Sequence, residues 1–439
     1  MADNHLLDWD IAAAERLSSG FNEPSELLTK RLQAVEQLAD TKWPSMRQES
    51  WRRTNPDIIG GKRFRPWDTT NDKESCKNDL PMPACCSWYH LHNTHPCEKV
   101  VIAEHEDYSN LFGHLFGSLL DGFGANRNSN LLSRVLAFPQ DDDSPAIGLT
   151  NAAFYQGGFY VTIPERIIVS RPLWIRHTAH TPSGALLPLN IIHLGPESEA
   201  TVMLEHSMMG EEESWFGSTT YVEVEEGARL NLMAVNQSGS AGRFYDNMQI
   251  KLGRNARFHF TWADLTEGWA VVRRETVMAE EGSEAVLRGV HIGRGDGHFD
   301  LRTLQGHPAP NTTSDLLYKS VMFDRSKSIF QGLIRIEPKA KNANAYQLNR
   351  NLLMSHSSTA DSIPMLEIMV DEVRCTHGAS AGKVDPEALY YMMSRGLSEE
   401  DATQLLIEGF LGEVADQLGE GTLKNYWSAR VFELSRRSL

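Results

Sequence analysis

EEGARLNLMAV (225–235), LGRNARFHFTWA (252–263) and EEGSEAVLRGVHI (280–292) repeat one phrase: a polar turn carrying a glycine, then a run in which apolar residues alternate. In the first, Ala228, Leu230, Leu232 and Ala234 fall on one face of an extended chain, because successive strand side chains point to opposite sides. The turn glycines Gly227, Gly253 and Gly282 recur at intervals of 26 and 29 residues. Similar β-rich runs start at GFYVTIPERIIVSRPLWIRHTA (158–179) and continue to about residue 384, without helical patterns between them. Many short strands with no intervening helices exclude a doubly wound α/β sheet. The quasi-period fits either a β-solenoid or a large sandwich of cupin type, and spacing alone leaves both open.

Outward from this core the pattern changes on both sides. Residues 8–42 read as two helices separated by Gly20, Asn22 and Pro24, with Leu27, Leu28, Leu32, Val35 and Leu38 forming an apolar stripe. Prolines break up 43–99, and SNLFGHLFGSLLDGFG (109–124) predicts a helix with Leu111, Leu115 and Leu119 on one face. On the C-terminal side Asp385 and Pro386 open a helix that ends at Gly396. Ser398 and Asp401 cap a second, 402–418, whose stripe is Leu405, Leu406, Phe410, Leu411 and Val414, and 423–437 predicts a third. The expected divisions are therefore 1–150, mainly helical and irregular; 151–384, the β core; and 385–439, a helical docking module.

Bulk properties narrow the function. The formal net charge of -16, from 58 acidic and 42 basic residues, argues against a nucleic-acid footprint. No apolar run is long enough to span a bilayer, the start has no secretory pattern, and five cysteines suit a reducing cytoplasm. Phosphate loops, nucleophile elbows and HExxH zinc motifs are all missing.

Two clusters could carry chemistry. Cys85, Cys86, His90, His92, His95 and Cys97 bring soft-metal ligands close together in sequence, without the paired spacing of a structural zinc site. Cys375 and His377, two apart in a strand, share a face and could hold a soft metal together. Gln347, Asn349 and Asn351 also share a face, as expected of an amide ladder inside a solenoid. A polysaccharide-active solenoid enzyme and a self-contained metal-binding protein built on 85–97 are the alternative functional classes.

SDLLYKSVMFDRSKSIFQGLIRIEPKAKNANAYQLNRNLLMS (314–355), PMLEIMVDEVRCTHGASAGKVDPEALYYMMSRGL (364–397) and EEDATQLLIEGF (399–410) resemble the SufB/SufD family of iron–sulfur cluster assembly proteins, most closely its SufD branch. The resemblance covers about 156–414, with ESWRRT (49–54) a looser match. It implies a mainly β fold, a right-handed parallel β-helix with helical regions at both ends. It also implies a non-catalytic scaffold subunit that pairs with a SufB-like subunit through the β-helix. A SufC-like ATPase, which hydrolyses the ATP, would dock on the C-terminal helices; Leu389, Tyr390, Leu405, Leu406 and Phe410 are the residues assigned to that contact. Where SufB carries a cysteine this chain has Asn349, and where SufB reads HEA it has His377-Gly378-Ala379. The resemblance leaves His377 as the interface residue and metal (iron) ligand, with Cys375 second. No cofactor is then expected to stay on the isolated chain. Iron or a transient Fe–S cluster would sit at the SufB interface, a flavin belongs to the complex, and the isolated chain could form a homodimer.

Overall fold

The computed structural model describes residues 6–60, 63–71, 86–100, 115–119, 144–418 and 421–436. From residue 189 to 383 the chain lays down strands that alternate between two facing sheets, each pairing in parallel with the strand two places on; Phe159–Ile163 and Leu173–Ala179 likewise pair in parallel with Leu189–Leu194 and Glu199–Met208, past the short strand Gly184–Leu186. In one sheet Arg229 pairs with Arg257, Arg257 with Glu284, Glu284 with Thr313, Thr313 with Asn344 and Asn344 with Arg374. Such register, with roughly 30 residues to a rung, defines a parallel β-solenoid and excludes the sandwich.

The turns explain the quasi-period. Glu197, Gly227, Asn255, Gly282, Asn311 and Asn342 occupy the same turn in successive rungs, and all have left-handed backbone conformations, with φ between 54° and 74°. Glycine and asparagine tolerate that region at little cost. The equivalent of Gly227 and Gly282 is thus Asn255 rather than Gly253, and the true repeat is more even than the glycines suggested.

Leu230, Leu232 and Ala234 point between the sheets with Phe258, Phe260, Trp262, Leu287, Leu316 and Tyr318, forming the main core. The outer faces are covered by helices. On one sheet α1 (Ile11–Gly20), α2 (Ser25–Asp40) and α3 (Pro145–Phe154) pack around Trp215, Tyr245, Trp269 and Val271. ESWRRT is fixed to the same sheet. Thr54 donates to Asp300 Oδ2 at 2.6 Å, Gln331 donates to the Ser50 carbonyl at 3.1 Å, and the Arg302 guanidinium lies 4.1 Å from the Trp51 ring centroid.

The N-terminal region also supplies strands. Ser87–His92 joins one sheet in parallel and pairs with His95–Val100 in antiparallel fashion. The helix expected over 109–124 is corrected within the described residues: Phe116–Ser118 is a strand, antiparallel to Phe159–Ile163. The helical spacing of Leu115 and Leu119 is overridden because Phe116 is buried beside Tyr89, at an edge that offers hydrogen bonds. Residues 109–114 and 120–124 lie outside the described residues.

At the C-terminal side α4 (Pro386–Ser394) is capped by Asp385, which accepts from the Glu387 amide at 2.9 Å. Next, α5 (Glu399–Ala415) is capped by Ser398, and α6 is Thr422–Arg436. Ile407, Leu411 and Val414 of α5 and Trp427, Val431 and Leu434 of α6 are buried on the outer face of the second sheet, against Met233, Leu265, Val290 and Val321. Among the described residues no helix is long and apolar enough to cross a membrane.

Candidate functional site: the free end of the solenoid

The stack stops at Thr359–Ile368 in one sheet and Arg374–Lys383 in the other, each the terminal strand of its sheet. In every earlier rung the next pair of strands covers the interior; here none of the described residues does. The inward positions of this last rung follow from register: Ser362, Pro364 and Leu366 continue Phe330, Gly332 and Ile334, while Cys375, His377, Ala379 and Ala381 continue Ala345, Gln347, Asn349 and Asn351.

Cys375 and His377 therefore share a face, as their spacing predicted. His377 is exposed. Cys375 is half-buried against Ile334, Ile336 and Ala345, and burial pushes its thiol pKa up, which leaves it a poor thiolate at neutral pH. Gln347, Asn349 and Asn351 are buried one rung below. Their bonds are not a stack of like amides. The Asn351 amide nitrogen donates to Asn349 Oδ1 at 2.7 Å and to Ser362 Oγ at 3.1 Å, and Ser362 donates back to Asn349 Oδ1 at 2.6 Å. Ser320, one rung deeper, donates to Asn351 Oδ1 at 2.6 Å, and Gln347 reaches only the Gly332 carbonyl at 3.3 Å. The asparagines thus brace the two sheets beneath the free rung.

Around this rung Met365, Leu366, Ile368 and Met369 are exposed, Met369 at 54%. The sequence reading did not single them out. Their signal is positional, since apolar strand residues after the last repeat have no rung to cover them.

The helical module offers a second surface. α4 has no buried residue; Tyr390 is 75% exposed, with Tyr391 and Met393 beside it, and Leu389 is half-buried. On α5 Leu405 is exposed and Leu406 half-buried. The stripe on α5 is divided, however. Leu411 and Val414 belong to the chain's own core, and Phe410 packs on that core beneath the Lys319 ammonium, 4.6 Å from its ring centroid. A cavity of about 370 Å³ lined by Leu397, Glu400, Asp401, Gln404, Leu405 and Arg436 opens beside it.

The described members of the 85–97 cluster do not converge. Cys86 is buried in the apolar core with Trp88 and Trp174, His90 and His92 each lie 3.0 Å from Thr178 Oγ1, His95 bonds the Thr69 carbonyl, and Cys97 is disulfide-bonded. Cys85 lies outside the described residues. The group of possible metal ligands that does gather among the described residues is His193, Glu223 and Glu225. His193 Nε2 is 2.8 Å from Glu225 Oε1, and Glu223 is 3.4 Å from Lys251 Nζ. Sequence spacing hid this group because parallel register, not proximity along the chain, sets His193 beside Glu223.

Residues 177–410 match the sequence model described as "SUF system FeS cluster assembly, SufBD core domain", a span that begins on the first complete rungs and ends on α5. The chain belongs to the SufBD family. This SufBD chain is 26% identical over 422 residues to "Iron-sulfur cluster assembly protein SufD" of Bacillus subtilis, covering 94% of each. It is 27% identical over 270 residues to the protein of the same name in Escherichia coli, covering 60% of this chain and 63% of that one. A SufBD family protein of Mycobacterium leprae is 29% identical over 280 residues, covering 60% and 68%.

Proposed function

We propose that this chain is a SufD-type scaffold subunit of a cytoplasmic iron–sulfur cluster assembly complex, with no catalytic activity of its own. The observation that carries the reading is the free terminal rung, where His377 stands exposed among uncovered apolar residues. Free parallel edges and apolar side chains suit a partner with a like rung, because edges seek pairing and the apolar area leaves water on contact. A SufB-like subunit is that partner, and a second copy of this chain takes its place when SufB is missing. Iron, or a nascent cluster, is the cargo at the join: His377 offers an imidazole nitrogen to iron, and Cys375, held as a thiol, contributes less. The exposed face of Tyr390, Tyr391 and Leu405 would receive the SufC-like ATPase. Any flavin belongs to the assembled complex.

Co-purification of this chain with its SufB and SufC partners, native and His377→Ala, followed by iron and sulfide analysis, tests the reading. An assembled complex that loses iron in the variant supports it. Unchanged iron content would reduce His377 to an interface residue, and failure of the native chain to assemble would overturn the whole proposal.

A further inference from the structure

One inward position of the second sheet is polar in seven consecutive rungs. His177 pairs with His206, His206 with Asn236, Asn236 with Asp264, Asp264 with His291, His291 with Ser320 and Ser320 with Asn351. All seven are buried. The neighbouring inward positions in these rungs hold Leu204, Trp262 and Tyr318, so the file runs beside an apolar row of the same sheet. Filling a core needs none of these groups, and unpaired polar atoms there cost stability.

Several of their polar atoms have no hydrogen-bond partner among the described residues. These are both ring nitrogens of His177, Nδ1 of His206, Oδ1 of Asn236 and Oδ2 of Asp264, joined from the opposite sheet by Oδ1 of Asp246 and Nε of Arg274. Buried polar atoms in such groups are ordinarily satisfied by internal water. Others are linked. The Asn236 amide donates to Asp246 Oδ2 at 3.0 Å, the Thr266 amide donates to Asp264 Oδ1 at 3.0 Å, and His291 Nδ1 lies 3.8 Å from that same oxygen. Near the free end Ser320, Asn351, Asn349 and Ser362 form a continuous hydrogen-bonded set. The two ends differ. His177 is covered by its register partner Leu91, which is fully buried, whereas Asn351 is overlaid only by Ala381 on the exposed last rung.

We propose that this ladder is a hydrated file that carries protons along the solenoid axis, closed at Leu91 and opening at the free rung beneath Ala381. Asp264 is its proton-bearing group. Burial lifts its carboxyl to about 7, and Asp246, Arg274, His291 and Thr266 are the polar groups that face it. His291, held by burial far below the ordinary imidazole range, is a neutral acceptor. Each hop moves one proton from an O–H to the next oxygen, with His291 accepting a hydrogen bond but not the proton itself; no atom is oxidised, and the carboxylate left at Asp264 takes its next proton from the adjoining water. The proposal concerns this chain alone and does not rest on the SufB reading.

Infrared spectroscopy of the purified full chain, transferred into D2O at neutral pH, follows the buried carboxylic O–H, while mass spectrometry follows the amides of Arg257–Thr266. The expected result is carboxyl exchange faster than that of the amides on the same strand; an O–H exchanges faster than an amide through any opening, so the decisive readout is the response to a plugged mouth. Asn351→Leu, which plugs the mouth, slows the carboxyl and leaves the amides unchanged; if it does not fold, Ser320→Val makes the same block one rung deeper. Asp264→Asn removes the band and assigns it. A carboxyl that exchanges only with the core amides, a rate indifferent to the plug, or no protonated buried carboxyl would each overturn the file.

Discussion

His377 and Gln347 are register partners on adjacent rungs, yet Gln347 is sealed from solvent and His377 is open to it. Position along the stack, not residue type, separates them. His377→Ala should therefore leave the urea midpoint of the isolated chain within about 0.5 kcal/mol of native. Gln347→Ala should lower stability by about 1 to 3 kcal/mol through lost packing and hydrogen bonding. Equal losses in both would mean that His377 is already covered in the isolated chain.

Replacing Leu366 or Ile368 with aspartate puts charge on the exposed apolar rung without touching the closed part of the core. Sedimentation velocity should then show the isolated chain shifted from dimer to monomer. If the native chain is monomeric and the variant still binds SufB, end-on pairing is wrong.

Arg274 and Asp246 form an ion pair inside the solenoid, 2.5 Å apart and 2% and 3% exposed. The Arg274 guanidinium also donates to the Asp246 carbonyl at 3.0 Å and lies 5.4 Å from the Trp262 ring centroid. Arg274→Met leaves a buried carboxylate uncompensated and should cost about 3 to 5 kcal/mol. The double change to Met and Leu should recover much of that loss, because two apolar groups need no partners. Chemical denaturation of the native chain and the two variants measures both numbers.

Lys319 ties the helical module to the sheet. Its ammonium donates to the Phe410 carbonyl at 2.6 Å and to Glu413 at 2.5 Å, while its side chain is 2% exposed. Lys319→Ala should release α5 locally, raising amide exchange over 399–415 while the strand amides stay protected. If protection falls everywhere alike, the module and the solenoid unfold as one unit.

Acid should weaken the fold before the carboxylates titrate. Burial lowers the imidazoles of His291 and His307 from 6.5 to about 3 and about 4, so they stay neutral when folded and take protons only on unfolding. Their stabilising contribution is complete above 6.5 and is lost as pH falls towards those folded values. Asp264, raised from 3.8 to about 7, has the opposite sign: its contribution is complete below 3.8 and is lost as pH rises through about 7. Two imidazoles outweigh one carboxyl, so the urea midpoint should drop between about pH 6.5 and 4. His307→Gln should flatten that slope, its bonds to Thr312 and Ser314 being ones an amide can replace.

Much of the architecture was legible along the chain. Ala228, Leu230, Leu232 and Ala234 announced an inward face, and Asp385, Pro386 and Ser398 marked helix starts where they occur. What misled was local likeness without partners. Leu115 and Leu119 have helical spacing, but Phe116 is claimed by a sheet edge; Gly253 looked like the turn residue, but Asn255 takes the left-handed position. At the site, Cys375 and His377 were visible as neighbours on one face. The division of the α5 stripe was not, because which of two apolar rows meets the protein's own sheet depends on Lys319 and Phe410 meeting across 91 residues. Likewise, the polar file from His177 to Asn351 has no local motif, since its members are a full rung apart.

The two ends of the solenoid are built differently, and that difference sets a stoichiometry. At the beginning, antiparallel strands His95–Val100 and Phe116–Ser118 terminate both sheets and break the parallel pattern that a further rung would have to copy. Among the described residues, only the other end presents a parallel edge that a further rung could continue. On the end-on pairing proposed above, a rod with one such face joins solenoids in pairs and not in filaments, and any ATPase is added at the helices rather than at the joint.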